Sequence, residues 1–168
     1  MIINFHGFNS AGSNNTYAHL SMYFMPEIQV ISEDYTVHHF SQGIQDIHQT
    51  LFKAGVVNHD GELITDQPLL FCGSSTGALY AEHFAKRYHG KVALINPLTD
   101  PWLLAHVLGR NTNFINDREY LFTRAQLNSF EALDRDLSTP RLIMVEKNDP
   151  VLDHRLTRKF YKGHGRYV

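Results

Sequence analysis

The stretch Leu69-Leu70-Phe71-Cys72-Gly73-Ser74-Ser75-Thr76-Gly77-Ala78-Leu79 constrains this chain more than any other. Four apolar residues run into Gly-x-Ser-x-Gly, and a helix-like segment follows. A strand that turns into a helix this abruptly holds Ser75 at the apex in a strained backbone conformation. Only small residues two before and two after the apex leave room for the turn, and Gly73 and Gly77 meet that demand. The turn exposes the Ser75 hydroxyl above the sheet and aims the first N–H groups of the helix at whatever it attacks. Gly-Ser-Ser-Thr-Gly in isolation reads as a solvated loop. The strand before it and the helix after it favour a nucleophile elbow.

Around that centre, strands and helices alternate. Met1 to Phe5 reads as a short buried strand that runs into His6-Gly7-Phe8-Asn9-Ser10, with a small, polar loop from Ala11 to Asn15. Thr16 to Met25 reads as a helix with Tyr17, Leu20, Tyr23 and Phe24 on one face, stopped by Pro26. Ile28 to Ile31 is a second strand. Ser41 to Ala54 is an amphipathic helix on Ile44, Ile47 and Leu51, closed by Gly55. Asp60-Gly61 marks a turn. Pro68 to Cys72 is the strand feeding the elbow, Gly77 to Tyr88 the helix after it, and Lys91 to Ile95 the next strand. Asp100 to Leu108 reads as a short helix and Asn111 to Phe122 as irregular chain. Thr123 to Leu133 is a helix with Thr123 as N-cap, Arg141 to Val145 a strand, and Asp153 to Tyr161 a helix with Asp153 as N-cap. Arg166 to Val168 opens a further strand. No repeat or linker interrupts this order, so residues 1–168 read as one domain: an α/β fold with a mostly parallel sheet and helices on both faces.

Lys plus Arg is 15 and Asp plus Glu is 17, a net charge of −2. No basic surplus points to nucleic acid or to an anionic membrane. No apolar stretch approaches transmembrane length, and the N-terminus has neither the basic region nor the small-residue site of a signal peptide. The single cysteine, Cys72, lies in an apolar strand and reads as a buried small hydrophobe in a reducing cytoplasm. Eleven histidines suggest a metal site, yet the sequence has no His-Glu-x-x-His and no Cys-x-x-Cys, so neither metal nor cofactor is expected.

Ser75 needs a general base, and the base needs an orienting carboxylate. In the α/β-hydrolase arrangement these follow in the order Ser, Asp or Glu, His, with the carboxylate in the loop after a late strand. Asp149 fits that loop, whereas Asp153 is placed to cap the next helix. As a turn residue before proline, Asp149 also has an ordinary structural use. The two N–H donors of an oxyanion hole fall to Thr76, after the nucleophile, and Phe8, after the glycine that lets the first loop approach. The base is harder to find. His6 precedes Ser75 and ends a buried strand, so it reads as structural. His154 follows the acid too closely, and His164 enters a strand at the end of the sheet remote from ligands.

The stretches Ile2 to Ser10, Gly73 to Gly77, Asn96-Pro97, Tyr120 to Thr123 with Leu133-Asp134, and Asp149 to Arg155 resemble the small bacterial YqiA/YcfP-type esterases of the α/β-hydrolase superfamily. After Ser10, Ala11-Gly12 stands where that family carries Ser-Pro. The resemblance implies Ser75 as nucleophile and Asp149 as the acid. It also implies a histidine in a Gly-Gly-Asp-His-like loop after the last strand, one strand beyond Val168; His164 is the fallback within the sequence.

Two functions are therefore expected to compete. One is a cytoplasmic serine hydrolase cleaving a small carboxylic ester or thioester through an acyl-enzyme on Ser75, with residues 100–123 as a cap segment over the site. The other is a non-catalytic binding protein on the same fold with an incomplete triad. Without a held base, turnover is expected to fall on the order of 10⁴-fold or more, so these 168 residues are expected to fold and be nearly inert.

Overall fold

The computed structural model describes residues 1–149 and 151–168. In chain order the elements are β1 (Ile2–Phe5), α1 (Asn15–Phe24), β2 (Val30–Ile31), α2 (Phe40–Lys53), β3 (Leu70–Ser74), α3 (Gly77–Tyr88) and β4 (Lys91–Ile95). A 3₁₀ helix (Pro101–Val107), β5 (Gly109–Thr112), β6 (Glu119–Phe122), α4 (Arg124–Asn128) and a second 3₁₀ turn (Ser129–Ala132) follow. The chain then runs through β7 (Arg141–Met144), α5 (His154–Phe160) and β8 (Arg166–Tyr167).

Six strands form one parallel sheet in the order β2-β1-β3-β4-β7-β8. The register sets Phe5 beside Gly73 and Ser74 beside Ile95, so the loops after β1, β3 and β4 leave the same edge of the sheet as neighbours. Alternate side chains sort to opposite faces. Ile3, Phe5, Phe71, Val92, Leu94 and Ile143 join the larger core with Phe40, Ile47 and Leu51 of α2 and Leu79, Tyr80 and Phe84 of α3. Phe5 stacks on Phe71 and Phe84 at ring separations of 6.2 and 5.7 Å, fixing α3 against the middle of the sheet. On the other face Ile2, Val30, Cys72 and Ala93 pack with Tyr17 and Leu20 of α1. Burial there pushes the Cys72 thiol up to about 11.

Glu82 of α3 is buried beside Arg141 of β7, with which it forms an ion pair, and it accepts from Arg135 at 3.2 Å. Arg135 also donates to the Thr99 carbonyl at 2.6 Å. This charged cluster ties the elbow helix, β7 and the loop after β4 together.

Three expectations need correction. No residue of α1 is buried, and Tyr23 and Phe24 are exposed, because the helix covers only a narrow part of the sheet through Tyr17 and Leu20. Residues 109–122 are not irregular: β5 and β6 form an antiparallel hairpin separate from the main sheet. The segment after the Thr123 cap is not one helix but an α turn followed by a 3₁₀ turn; the cap itself, with Gln126 closing a capping box, forms as expected.

Candidate active site

Ser75 follows β3 directly and adopts φ +53°, the left-handed conformation of a strained corner. Its N–H donates to the Ile95 carbonyl at 3.0 Å, and its carbonyl accepts from Ala78 and Leu98 N–H groups at 3.1 Å, so the corner is fixed by backbone alone. Both flanking glycines are sterically required. A Cβ on Gly73 would lie 2.5 Å from the Gly77 carbonyl, and one on Gly77 would lie 2.2 Å from the Phe5 carbonyl. The corner opens onto a cavity of about 570 Å³ bordered by Phe8, Ser75, Thr76, Asn96, His106 and Asp149. Leu98, Leu103, Leu104 and Val107 make one wall of it apolar.

The loop after β1 comes up against this corner. A Cβ on Gly7 would lie 3.0 Å from the Ser75 Cβ and 3.6 Å from its Oγ, which measures how close the loop runs to the hydroxyl. The N–H groups of Phe8 and Thr76 make no hydrogen bond among the described residues. Two free donors therefore flank Ser75. His6 lies behind the loop. It is buried, its Nδ1 donates to the Gly7 carbonyl at 3.0 Å, and its Nε2 accepts from the Tyr35 N–H at 3.4 Å. Both bonds require the Nδ1–H tautomer. Desolvation holds the His6 pKa below its ordinary value, so the ring stays neutral. It borders a different, polar cavity.

Asp149 sits on the loop after β7. Its Oδ1 accepts from the Val151 and Leu152 N–H groups at 2.8 and 2.9 Å, and its Oδ2 accepts from Asn96 Nδ2 at 2.8 Å. Asn96 follows β4 directly with φ +42°, and its Oδ1 accepts from the Glu146 N–H at 2.7 Å. One side chain thus both orients the carboxylate and shapes the loop that carries it. Asp153 also borders the cavity, but it caps α5 through the Arg155 N–H at 2.8 Å. The paired Arg155 guanidinium lowers its carboxyl to about 2.

Sequence reasoning brought Ser75, Thr76, Phe8 and Asp149 to one cavity, and all four border it. It assigned no role to Asn96, whose signals were its place before proline at the end of a strand and among the stretches that carry the family resemblance. It also missed His106, which lies on the 3₁₀ helix against the same cavity. The His106 Nδ1 contacts the Leu103 carbonyl of its own turn, and among the described residues the ring makes no hydrogen bond to Ser75 or Asp149. His154 and His164 do not border the cavity. Among the described residues no group of three His, Cys, Asp or Glu side chains could hold a metal ion.

Residues 1–168 match the uncharacterised protein family UPF0227 over their full length. The chain belongs to this family. No curated protein matches it significantly. Among solved structures it is similar to Est1E from Butyrivibrio proteoclasticus, determined with ferulic acid bound. That similarity has a TM-score of 0.69 at 16% identity over 99% of this chain and 77% of that one. It is also similar to mouse alpha/beta hydrolase domain-containing protein 10, with a TM-score of 0.66 at 12% identity, covering 99% and 77% of the two chains. The esterase domain of a Rhodothermus marinus protein gives a TM-score of 0.61 at 17% identity, covering 99% and 74%. The fold is that of the α/β-hydrolases. Among the described residues no helix is long and apolar enough to cross a membrane.

Proposed function

We propose that this protein is a serine hydrolase that cleaves a small carboxylic ester or thioester. The observation that carries the reading is the corner at Ser75, strained and open to a cavity, with two unpaired backbone N–H groups beside it and an oriented carboxylate across it. Ser75 Oγ attacks the acyl carbon while its proton passes to a histidine. The Phe8 and Thr76 N–H groups stabilise the oxyanion of the tetrahedral intermediate. The histidine returns the proton to the departing alcohol or thiol, and water then releases the acid from Ser75. Asp149 holds the histidine in its working tautomer. The apolar wall takes the acyl group, and residues 100–123, which contribute Leu103, Leu104, Val107 and Phe114 to the cavity, act as its cap.

The direction of β8 supports the histidine that the family resemblance implies. Val168 leaves β8 with its N–H donating to the Ile143 carbonyl at 2.9 Å, alongside the strand whose loop carries Asp149. The family resemblance implies that histidine one strand beyond Val168, where a further parallel strand would deliver it to the rim that holds Asp149. The site acts in a cytoplasmic enzyme without metal or cofactor.

One observation favours the second reading, a binding protein with an incomplete triad. Among the described residues no histidine hydrogen-bonds to Ser75 or Asp149. Turnover of p-nitrophenyl butyrate by protein expressed from its native reading frame separates the two. The hydrolase reading expects measurable turnover that Ser75→Ala abolishes and His106→Ala leaves within about threefold. No turnover by folded protein favours the binder, and loss with His106→Ala would make His106 the base.

A further inference from the structure

The peptide that joins Gly7 to Phe8 carries one of the two free donors, yet the loop around it has little sequence of its own to hold it. Gly7 has no side chain, and Phe8-Asn9-Ser10 is not part of any helix or strand. The β1 side is fixed by His6 on the Gly7 carbonyl and by the Tyr35 hydroxyl, which donates to the His6 carbonyl at 2.7 Å. The other side is held from more than a hundred residues away, by the β5–β6 hairpin.

Four hydrogen bonds from the hairpin converge on the two residues after Phe8. The Tyr120 hydroxyl donates to Asn9 Oδ1. Asn9 Nδ2 donates to Asn111 Oδ1 at 3.4 Å. The Phe114 N–H donates to the Asn9 carbonyl at 2.8 Å, and Asn113 Nδ2 donates to the Ser10 carbonyl at 2.7 Å. Asn9 itself has φ +56°, a left-handed conformation that asparagine tolerates at some cost and that these bonds hold in place. The Phe8 ring packs edge-on against Tyr120 and Phe122 at 5.9 and 5.1 Å, and His38 stacks on Tyr120 at 4.2 Å.

We propose that the β5–β6 hairpin is a clamp on the oxyanion loop, with Tyr120 the positioning residue that sets the Phe8 N–H through Asn9. This rests on the hydrolase reading of Ser75. Burial raises the Tyr120 pKa well above that of a free tyrosine, so its hydroxyl stays a donor across the working pH range. The clamp acts on the transition state. The donor matters most where negative charge develops on the oxygen, so its misplacement slows the chemical step more than it weakens substrate binding. The hairpin also sends Phe114 to the cavity, so the element that closes over the substrate is the one that aligns the donor.

The test is a double-mutant cycle on protein expressed from its native reading frame, with p-nitrophenyl butyrate as substrate. Tyr120→Phe removes only the hydroxyl. Asn9→Gly removes the acceptor and keeps the left-handed backbone accessible. Each is expected to lower kcat on the order of tenfold with KM within about twofold, and the double variant to lose no more than either single. Affinity for an alkyl trifluoromethyl ketone, which forms a tetrahedral adduct on serine, should fall by the same factor as kcat/KM. Turnover of Tyr120→Phe within about twofold of the parent, losses that multiply in the double variant, or a loss confined to KM would overturn the clamp. So would a kcat loss that tracks the unfolded fraction by circular dichroism. Ser75→Ala, run in parallel, separates the two failures: an active Ser75→Ala overturns the hydrolase reading itself, whereas an inactive Ser75→Ala beside an unaffected Tyr120→Phe overturns the clamp alone.

Discussion

Replacing Gly77 with alanine tests the elbow as a steric object. The new Cβ would sit 2.2 Å from the Phe5 carbonyl oxygen, 2.6 Å from the His6 carbonyl oxygen and 2.7 Å from the Phe5 carbonyl carbon. All three are backbone atoms of β1 and the loop it enters, so no side chain can swing aside. To reach ordinary contact, α3 would have to retreat from β1 by about 1 Å. That helix carries Ala78, Leu79, Tyr80, Ala81, Phe84 and Ala85, all fully buried. A gap of about 0.5–1 Å forfeits a quarter to a half of each dispersion contact it opens. Overpacking ordinarily costs about 1–3 kcal/mol, and a clash against fixed backbone belongs at the upper end, about 3 kcal/mol. In a domain of this size that lowers Tm by about 6–12 °C. Gly55→Ala is the control. Gly55 has φ +70°, but a Cβ added there would meet nothing within 4 Å, so the change adds backbone strain alone, about 1 kcal/mol. Urea denaturation followed by circular dichroism measures both. A Gly77→Ala loss no larger than that of Gly55→Ala would refute the packing of the elbow against β1.

Asn96→Ala frees Asp149 Oδ2 and the Glu146 N–H, and is expected to lower kcat on the order of tenfold in the ester assay; full activity would remove Asn96 from the site. Glu82→Leu leaves the buried Arg141 guanidinium without its carboxylate and is expected to cost about 3–5 kcal/mol in urea denaturation; a loss under about 1 kcal/mol would contradict that pairing. Acidification should destabilise the fold. Desolvation lowers the pKa of His6 below its unfolded value of 6.5, so the unfolded chain binds the proton more readily, and stability present above about pH 6.5 is lost as pH falls through that value. His38, His48 and His83, partly exposed, shift in the same direction for the same leading cause. Tm should therefore be lower at pH 5.5 than at pH 7.5, and an unchanged or higher Tm at pH 5.5 would refute this.

The elbow was legible because its steric demand is compressed into five residues: Gly73 and Gly77 are needed whatever the rest of the chain does. The place of Asp149 on the cavity that Ser75 borders was legible from chain order, since a parallel sheet returns each strand-end loop to one edge. Asn96 was not, because its role depends on how the end of β4 faces a loop fifty residues later, which local sequence does not encode. The hairpin was missed because β5, Gly-Arg-Asn-Thr, packs little of itself on the core and shows no apolar alternation; it is held by side-chain bonds to Asn9 and Ser10 instead. The α1 face was misjudged for the opposite reason. Tyr23 and Phe24 have helical spacing with Tyr17 and Leu20, but the sheet beneath ends before it reaches them.

The proposed chemistry rests on a serine hydroxyl made reactive by its surroundings, and a fluorophosphonate probe reads that property directly. Protein expressed from its native reading frame, treated with the probe and analysed by intact mass and peptide mapping, should carry a single adduct on Ser75, absent from Ser75→Ala. A folded protein that takes up no probe, or that carries it on another serine, would contradict the assignment.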